Sequence, residues 1–238
     1  MSPPTPSCSK ACQRNAPACP PTAMARAWGG MVRGTCRVCT GKRPPPWSDP
    51  NLLSLAHQIQ SRLFFAHVRA STGTATSVAN CHPFTFKKWM FMHNGQIGGY
   101  EKVRRRLDAM IGDDVYGVCV GTTDSEAFFY LLFGHGLETD PVGALARTIG
   151  TVLKTMSEAK VDEPFRMTAA LTDGETLYAL RYATDPEPPS LYFSRSDVQM
   201  MVVSEPLDAE EGWNAVENAH ILVSKPGVNP VVTSFNPN

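Results

Sequence analysis

The sequence predicts an α+β fold built mainly from antiparallel sheets, and three observations predict it. Strands and helices are mixed through the first part of the chain, and a longer run of strands follows from Arg166 onward. Two of those later strands are joined by Asp173-Gly174, a dipeptide that suits a tight hairpin. There is no internal repeat and no regular strand–helix alternation, so a parallel doubly wound sheet is not expected.

The elements are read in order. Ser48 or Asp49 can cap a helix through Leu52, Leu53, Leu55 and Ile59, whose apolar residues recur at helical spacing. Leu63 to Arg69 reads as a buried strand, and Ala70 to Asn80 as a loop of small residues. Trp89 to His93 is a second strand, stopped by Asn94-Gly95. Tyr100 to Ile111 is an amphipathic helix carrying Arg104, Arg105 and Arg106. Asp124 to Phe133 begins another, with Asp124 near the cap and Glu126 in the first turn. Val142 to Ala159 is a third, with Leu145, Ile149, Val152, Leu153 and Met156 on one face. Five strands follow: Arg166 to Thr172, Thr176 to Tyr182, Leu191 to Ser194, Met200 to Ser204 and His220 to Lys225.

The chain divides by composition. Residues 1–46 are rich in Pro, Cys and Arg and show a period of neither 2 nor 3.6, so they are expected to be disordered. Residues 47–238 read as one globular domain, and 42% of the whole chain is hydrophobic. Five of the seven cysteines crowd the first segment: Cys8, Cys12, Cys19, Cys36 and Cys39. Cys36 and Cys39 form a CxxC, but no second ligand pair lies at usable spacing, so no metal site is expected. Lys+Arg and Asp+Glu both number 22, which argues against nucleic acid and anionic membranes as partners. No apolar run reaches the roughly 20 residues that cross a bilayer, and no secretion signal is visible. A cytoplasmic location is the expectation.

Three short segments carry the chemistry. His67-Val68-Arg69 ends a strand, His93-Asn94-Gly95-Gln96 ends another, and Thr123-Asp124-Ser125-Glu126 starts a helix. Alone, Arg69 is explained as a surface ion-pair partner, Asn94-Gly95 as a turn and Asp124 as a cap. Together they describe a pocket for a zwitterionic amino acid. Arginine binds an α-carboxylate through two parallel N–H groups. Aspartate holds an α-ammonium. The Asn94 side-chain amide and the Gly95 N–H are donors suited to an oxyanion, and glycine lets the backbone approach the reacting atom.

Arg69 in its strand, Asn80 with His82-Pro83-Phe84, His93-Asn94-Gly95 and Thr123-Asp124-Ser125-Glu126 resemble the class II glutamine amidotransferase pattern in order and spacing. Val203-Ser204-Glu205-Pro206-Leu207 and Trp213 extend the resemblance to stand-alone members of that family. It implies the αββα sandwich of the N-terminal-nucleophile hydrolases. It also implies that Arg69 takes the substrate carboxylate, that Asp124 takes the amine, and that Asn94 with Gly95 forms the oxyanion hole. The expected ligand is glutamine or a γ-glutamyl compound, with no cofactor.

One part of the family pattern is missing. The family nucleophile is a cysteine exposed by removal of the initiator methionine, whose α-amine serves as base. Here Ser2 follows Met1, and Pro3, Pro4 and Pro6 are incompatible with the central strand that should begin there. Residues 1–46 are read as out of frame. Regrouping the codons of Thr22 to Val32 forces three glycines and permits Asn-Gly-Asp-Gly-x-Gly-Val-Gly-Trp-Tyr-Gly, a stretch like one found in the family. Two readings follow: an amidohydrolase, inactive as written for want of its cysteine, or a non-catalytic pseudoenzyme that keeps the amino-acid pocket.

Overall fold

The computed structural model describes residues 24–31, 37–42, 50, 54, 58, 61–70, 78–197, 199–209 and 212–237. Every strand pairing among them is antiparallel. A six-stranded sheet forms the middle layer. Its strands are β4 (Phe84–Phe86), β5 (Trp89–Gln96), β6 (Arg166–Thr172), β7 (Leu177–Ala183), β11 (His220–Ser224) and β12 (Val231–Ser234). They run in the order β12-β11-β7-β6-β5-β4. Two smaller sheets have the orders β2-β1-β3 and β10-β8-β9. The first uses β1 (Met24–Met31), β2 (Arg37–Lys42) and β3 (Phe64–Ala70). The second uses β8 (Tyr192–Arg195), β9 (Met200–Val203) and β10 (Asn214–Ala215).

Strand β5 shows why these layers form. Successive side chains of a strand point to opposite faces, and β5 is apolar on both. Trp89 and Phe91 turn toward the helices, where the Phe91 ring lies 5.8 Å from Phe128 and 5.7 Å from Phe129. Met90 and Met92 turn the other way and meet Phe65 of β3 and Ala170 of β6. Further along, Ala179 and Leu222 pack against Leu191 and Val216 beside the second small sheet. Helices cover one face of the six-stranded sheet and the two small sheets lie against the other. This is the expected α+β fold of antiparallel sheets flanked by helices.

The helical layer is α1 (Tyr100–Asp108), α2 (Asp113–Tyr116), α3 (Asp124–Gly134) and α4 (Pro141–Glu158). Helix α3 is buried on every side from Ser125 to Leu132, because β5 lies under it and α1 and α4 pack beside it. A helix so placed must be apolar all round, and Ala127-Phe128-Phe129-Tyr130-Leu131-Leu132 is.

Two element boundaries change, the end of β5 and the end of α1, and the cap of α3 is defined. Strand β5 does not stop at Asn94-Gly95: it continues to Gln96, with Asn94 opposite Thr168 and Gly95 opposite Met167. Gly95 adopts φ +141, and a Cβ there would sit 2.1 Å from the Arg166 carbonyl oxygen. Glycine therefore lets the strand pass, where the sequence suggests a stop. The cap of α3 is Thr123, whose side chain accepts the Glu126 N–H, and Asp124 is the first helical residue. Helix α1 ends at Asp108 rather than Ile111. Strands β1 and β2 fall inside the segment that shows no period in the sequence, and the rest of residues 1–46 lies outside the described residues, as does most of the expected helix through Leu52 and Ile59. Among the described residues no helix is long and apolar enough to cross a membrane.

Candidate functional site

The site is built where the end of β5 meets the start of α3. Strand β4 pairs only with Trp89 to Phe91. Beyond Phe91, β5 has β6 on one edge and no strand on the other among the described residues. Asn94, Gly95 and Gln96 are exposed at that open end.

Asp124 closes the arrangement from the helix side. Its Oδ2 accepts the Ile97 N–H at 2.8 Å, so the carboxylate is tied to the chain two residues past Gly95. Its Oδ1 accepts the Ser125 N–H at 2.8 Å and lies 3.3 Å from the Ser125 hydroxyl. The start of α3 also favours a negative side chain, because the free N–H groups of the first turn carry partial positive charge. The Ile97 bond thus ties Asp124 to the chain three residues past Asn94 and two past Gly95. Arg69 lies on β3 opposite Ala25 of β1; its side chain is outside the described residues. Two positions before it, the His67 ring lies tilted against His82, 4.3 Å between ring centroids.

Behind these residues are two buried polar groups whose roles the motif alone did not reveal. His93 is 3% exposed. Its Nδ1 is 2.9 Å from the Ser125 hydroxyl and its Nε2 is 3.3 Å from the Arg166 carbonyl oxygen. Burial lowers its pKa from the ordinary value of 6.5, opposed by the Asp124 charge and the Arg166 carbonyl. Glu126 is also buried and accepts the Val120 N–H at 3.0 Å. Burial raises its pKa above the ordinary value, opposed by the Val120 and Gly121 N–H groups. Asn80 works beside it: its Oδ1 accepts the Thr122 N–H at 2.9 Å and its Nδ2 donates to the Thr122 hydroxyl at 3.3 Å. Together they hold the segment 120–123 that delivers Asp124. The sequence signal for this was the polar run Asp124-Ser125-Glu126 opening a helix whose following residues are mostly apolar.

The arrangement offers an acceptor for an ammonium group and exposed donors beside it. A reactive thiol is a different matter. Cys119 is held protonated, its thiol pushed up to about 12 by burial and then by Glu126 and Asp108, and a thiolate is what attacks a carbonyl. Cys81 is buried. Among the described residues no cluster of His, Cys, Asp and Glu could hold a metal ion.

Comparison with known proteins gives a consistent result. Residues 32–185 match the family described as class-II glutamine amidotransferases, a match that begins ahead of Trp47. The chain is 36% identical over 221 residues to a probable glutamine amidotransferase, DUG3, of Saccharomyces cerevisiae, which covers 76% of this chain and 62% of the yeast protein. It is 28% identical over 207 residues to the gamma-glutamyl-hercynylcysteine sulfoxide hydrolase of Mycobacterium tuberculosis, covering 86% and 77%. Among solved structures, a glutamine aminotransferase class-II domain protein from Silicibacter pomeroyi aligns with TM-score 0.78 and 37% identity, covering 90% of this chain and 98% of that one. The glutamine phosphoribosylpyrophosphate amidotransferase of B. subtilis aligns with TM-score 0.60 at 14% identity, which is a likeness of fold.

Proposed function

Because the chain belongs to the class II glutamine amidotransferases, we propose that it is an amidohydrolase of that type, acting on the γ-amide of glutamine or on a γ-glutamyl compound. The carrying observation is the 2.8 Å bond from the Ile97 N–H to Asp124 Oδ2. It joins the end of β5, with Asn94 and Gly95, to the start of α3. In this reading Asp124 holds the α-ammonium, Arg69 the α-carboxylate, and the Asn94 amide with the Gly95 N–H the developing oxyanion. Coverage of 98% of the S. pomeroyi chain supports a stand-alone type. A cytoplasmic location, a small-molecule partner and no cofactor complete the reading, with residues 47–238 as the amidotransferase unit.

Hydrolysis needs a nucleophile. Among the described residues, Cys119, with its raised pKa, and buried Cys81 are poorly suited to that role. The proposed pocket binds the amino-acid end of its ligand without a nucleophile, so binding and ammonia release are read separately. The second reading, a pseudoenzyme, rests on the same observation. Titrating L-glutamine into the protein while assaying ammonia tests both. Binding is the expected result. Absence of binding overturns the pocket, and ammonia release that a Ser2 substitution abolishes overturns the out-of-frame reading of residues 1–46. The nucleotide sequence upstream of the Pro44-Pro45-Pro46 codons decides the frame.

A further inference from the structure

We infer that His93 is a positioning residue of this site: as a neutral imidazole carrying its proton on Nε2, it takes the Ser125 hydroxyl hydrogen and leaves Asp124 a lone pair for a ligand's ammonium group. The inference rests on the function proposed above and adds a residue to it.

The geometry selects the tautomer. A carbonyl oxygen only accepts, so the Arg166 oxygen 3.3 Å from Nε2 calls for a proton on that nitrogen. Neutral imidazole has one N–H, so Nδ1 is then an acceptor. The Ser125 hydroxyl has one hydrogen and two candidate acceptors, His93 Nδ1 at 2.9 Å and Asp124 Oδ1 at 3.3 Å. The nearer one takes it. Among the described residues, Asp124 Oδ1 then keeps the Ser125 N–H and Oδ2 the Ile97 N–H. A carboxylate has about four acceptor positions, so an ammonium group can still enter. A proton on Nδ1 would leave about one open position in place of two. The Ser125 oxygen would then accept from His93, and its hydrogen would turn to Asp124.

The surroundings fit that role. Facing the imidazole are Asp124 and Ser125 from α3, the Arg166 carbonyl from β6, and Phe91 and Gly95 from its own strand. The Arg166 guanidinium is turned to Asp185 and Glu187. A Cβ at Gly95 would lie 2.9 Å from His93 Nε2. One buried ring therefore supports both the residue proposed to hold the ammonium and the glycine proposed to face the oxyanion.

Two substitutions separate this role from packing. In His93→Asn the side-chain oxygen can stand in for the Nδ1 acceptor. In His93→Gln the amide reaches the Nε2 position and the Nδ1 acceptor is gone. Both lose the same ring. L-glutamine affinity of the full chain is measured by calorimetry, and the Ile97 amide resonance, which reports its bond to Asp124, by NMR. His93→Asn is expected to stay within about threefold of the parent. His93→Gln is expected to weaken binding by about tenfold and to shift the Ile97 amide. Equal losses in both, or an unmoved Ile97 amide in His93→Gln, overturn the inference. If the parent binds no glutamine, the proposed function fails, and the Ile97 amide still decides whether His93 positions Asp124.

Discussion

At the scale of single residues, the strongest constraint is at Gly95. The Arg166 carbonyl occupies the place of its missing Cβ, and φ +141 is strained for any L side chain. Gly95→Ala must push β6 away from β5 and is expected to cost about 2–3 kcal/mol, read from the denaturation midpoint. His93 makes a pH prediction. Its folded pKa is lowered from 6.5, chiefly by burial. Between the two pKa values the unfolded chain binds a proton that the folded chain refuses, so stability rises with pH in that window. The contribution is complete above 6.5 and is lost as pH falls through the folded pKa, at up to about 1.4 kcal/mol per pH unit. His135 shifts the same way, through burial and Arg147. Comparing acid unfolding of the parent with His93→Asn isolates His93, and the variant should show the shallower loss. Asp124→Asn removes the charge proposed to meet the ammonium while keeping an acceptor for the Ile97 N–H. It is expected to weaken L-glutamine binding by at least about tenfold with the fold intact; unchanged affinity by calorimetry would remove Asp124 from the pocket.

At the scale of elements, the start of α3 matters most. Thr123 caps it, and Glu126 reaches back to the Val120 N–H. Thr123→Ala is expected to cost about 1 kcal/mol. Glu126→Ala should expose the Val120 and Gly121 amides, seen as faster hydrogen exchange there than in the rest of the helical layer. Periodic elements were legible in advance. Helix α4 was read as Val142 to Ala159 and runs Pro141–Glu158, because a long amphipathic stripe states its own period. Strand β6 was read to its ends for a related reason: it is a short run bounded by turn signals and closed by the Asp173-Gly174 hairpin. Elements without a pattern were not legible. Strand β4 has three residues, too few to show a period. All four residues of β12 are exposed, so burial wrote no alternation into it. Strands β1 and β2 owe their place to long-range pairing with β3.

At the scale of the molecule, the binding groups and the nucleophile are separable parts. Arg69, Asn94, Gly95 and Asp124 come from three elements, and none supplies the attacking group in the proposed chemistry. Binding and ammonia release are therefore expected to separate: Asp124→Asn should lose L-glutamine affinity by calorimetry whether or not the parent releases ammonia. By itself, the sequence determined the fold class, the main helices and later strands, and the candidate residues, because periodicity and short motifs are local properties of a chain. Tertiary structure decided what no local window contains. It carried β5 past Gly95, because β6 supplies the partner strand and its Arg166 carbonyl fills the space of a Cβ. It set Asp124 against Ile97 and buried His93 between Ser125 and Arg166. Those contacts join positions 27, 32 and 73 residues apart, and at such separations only the packing of helix on sheet chooses the neighbours.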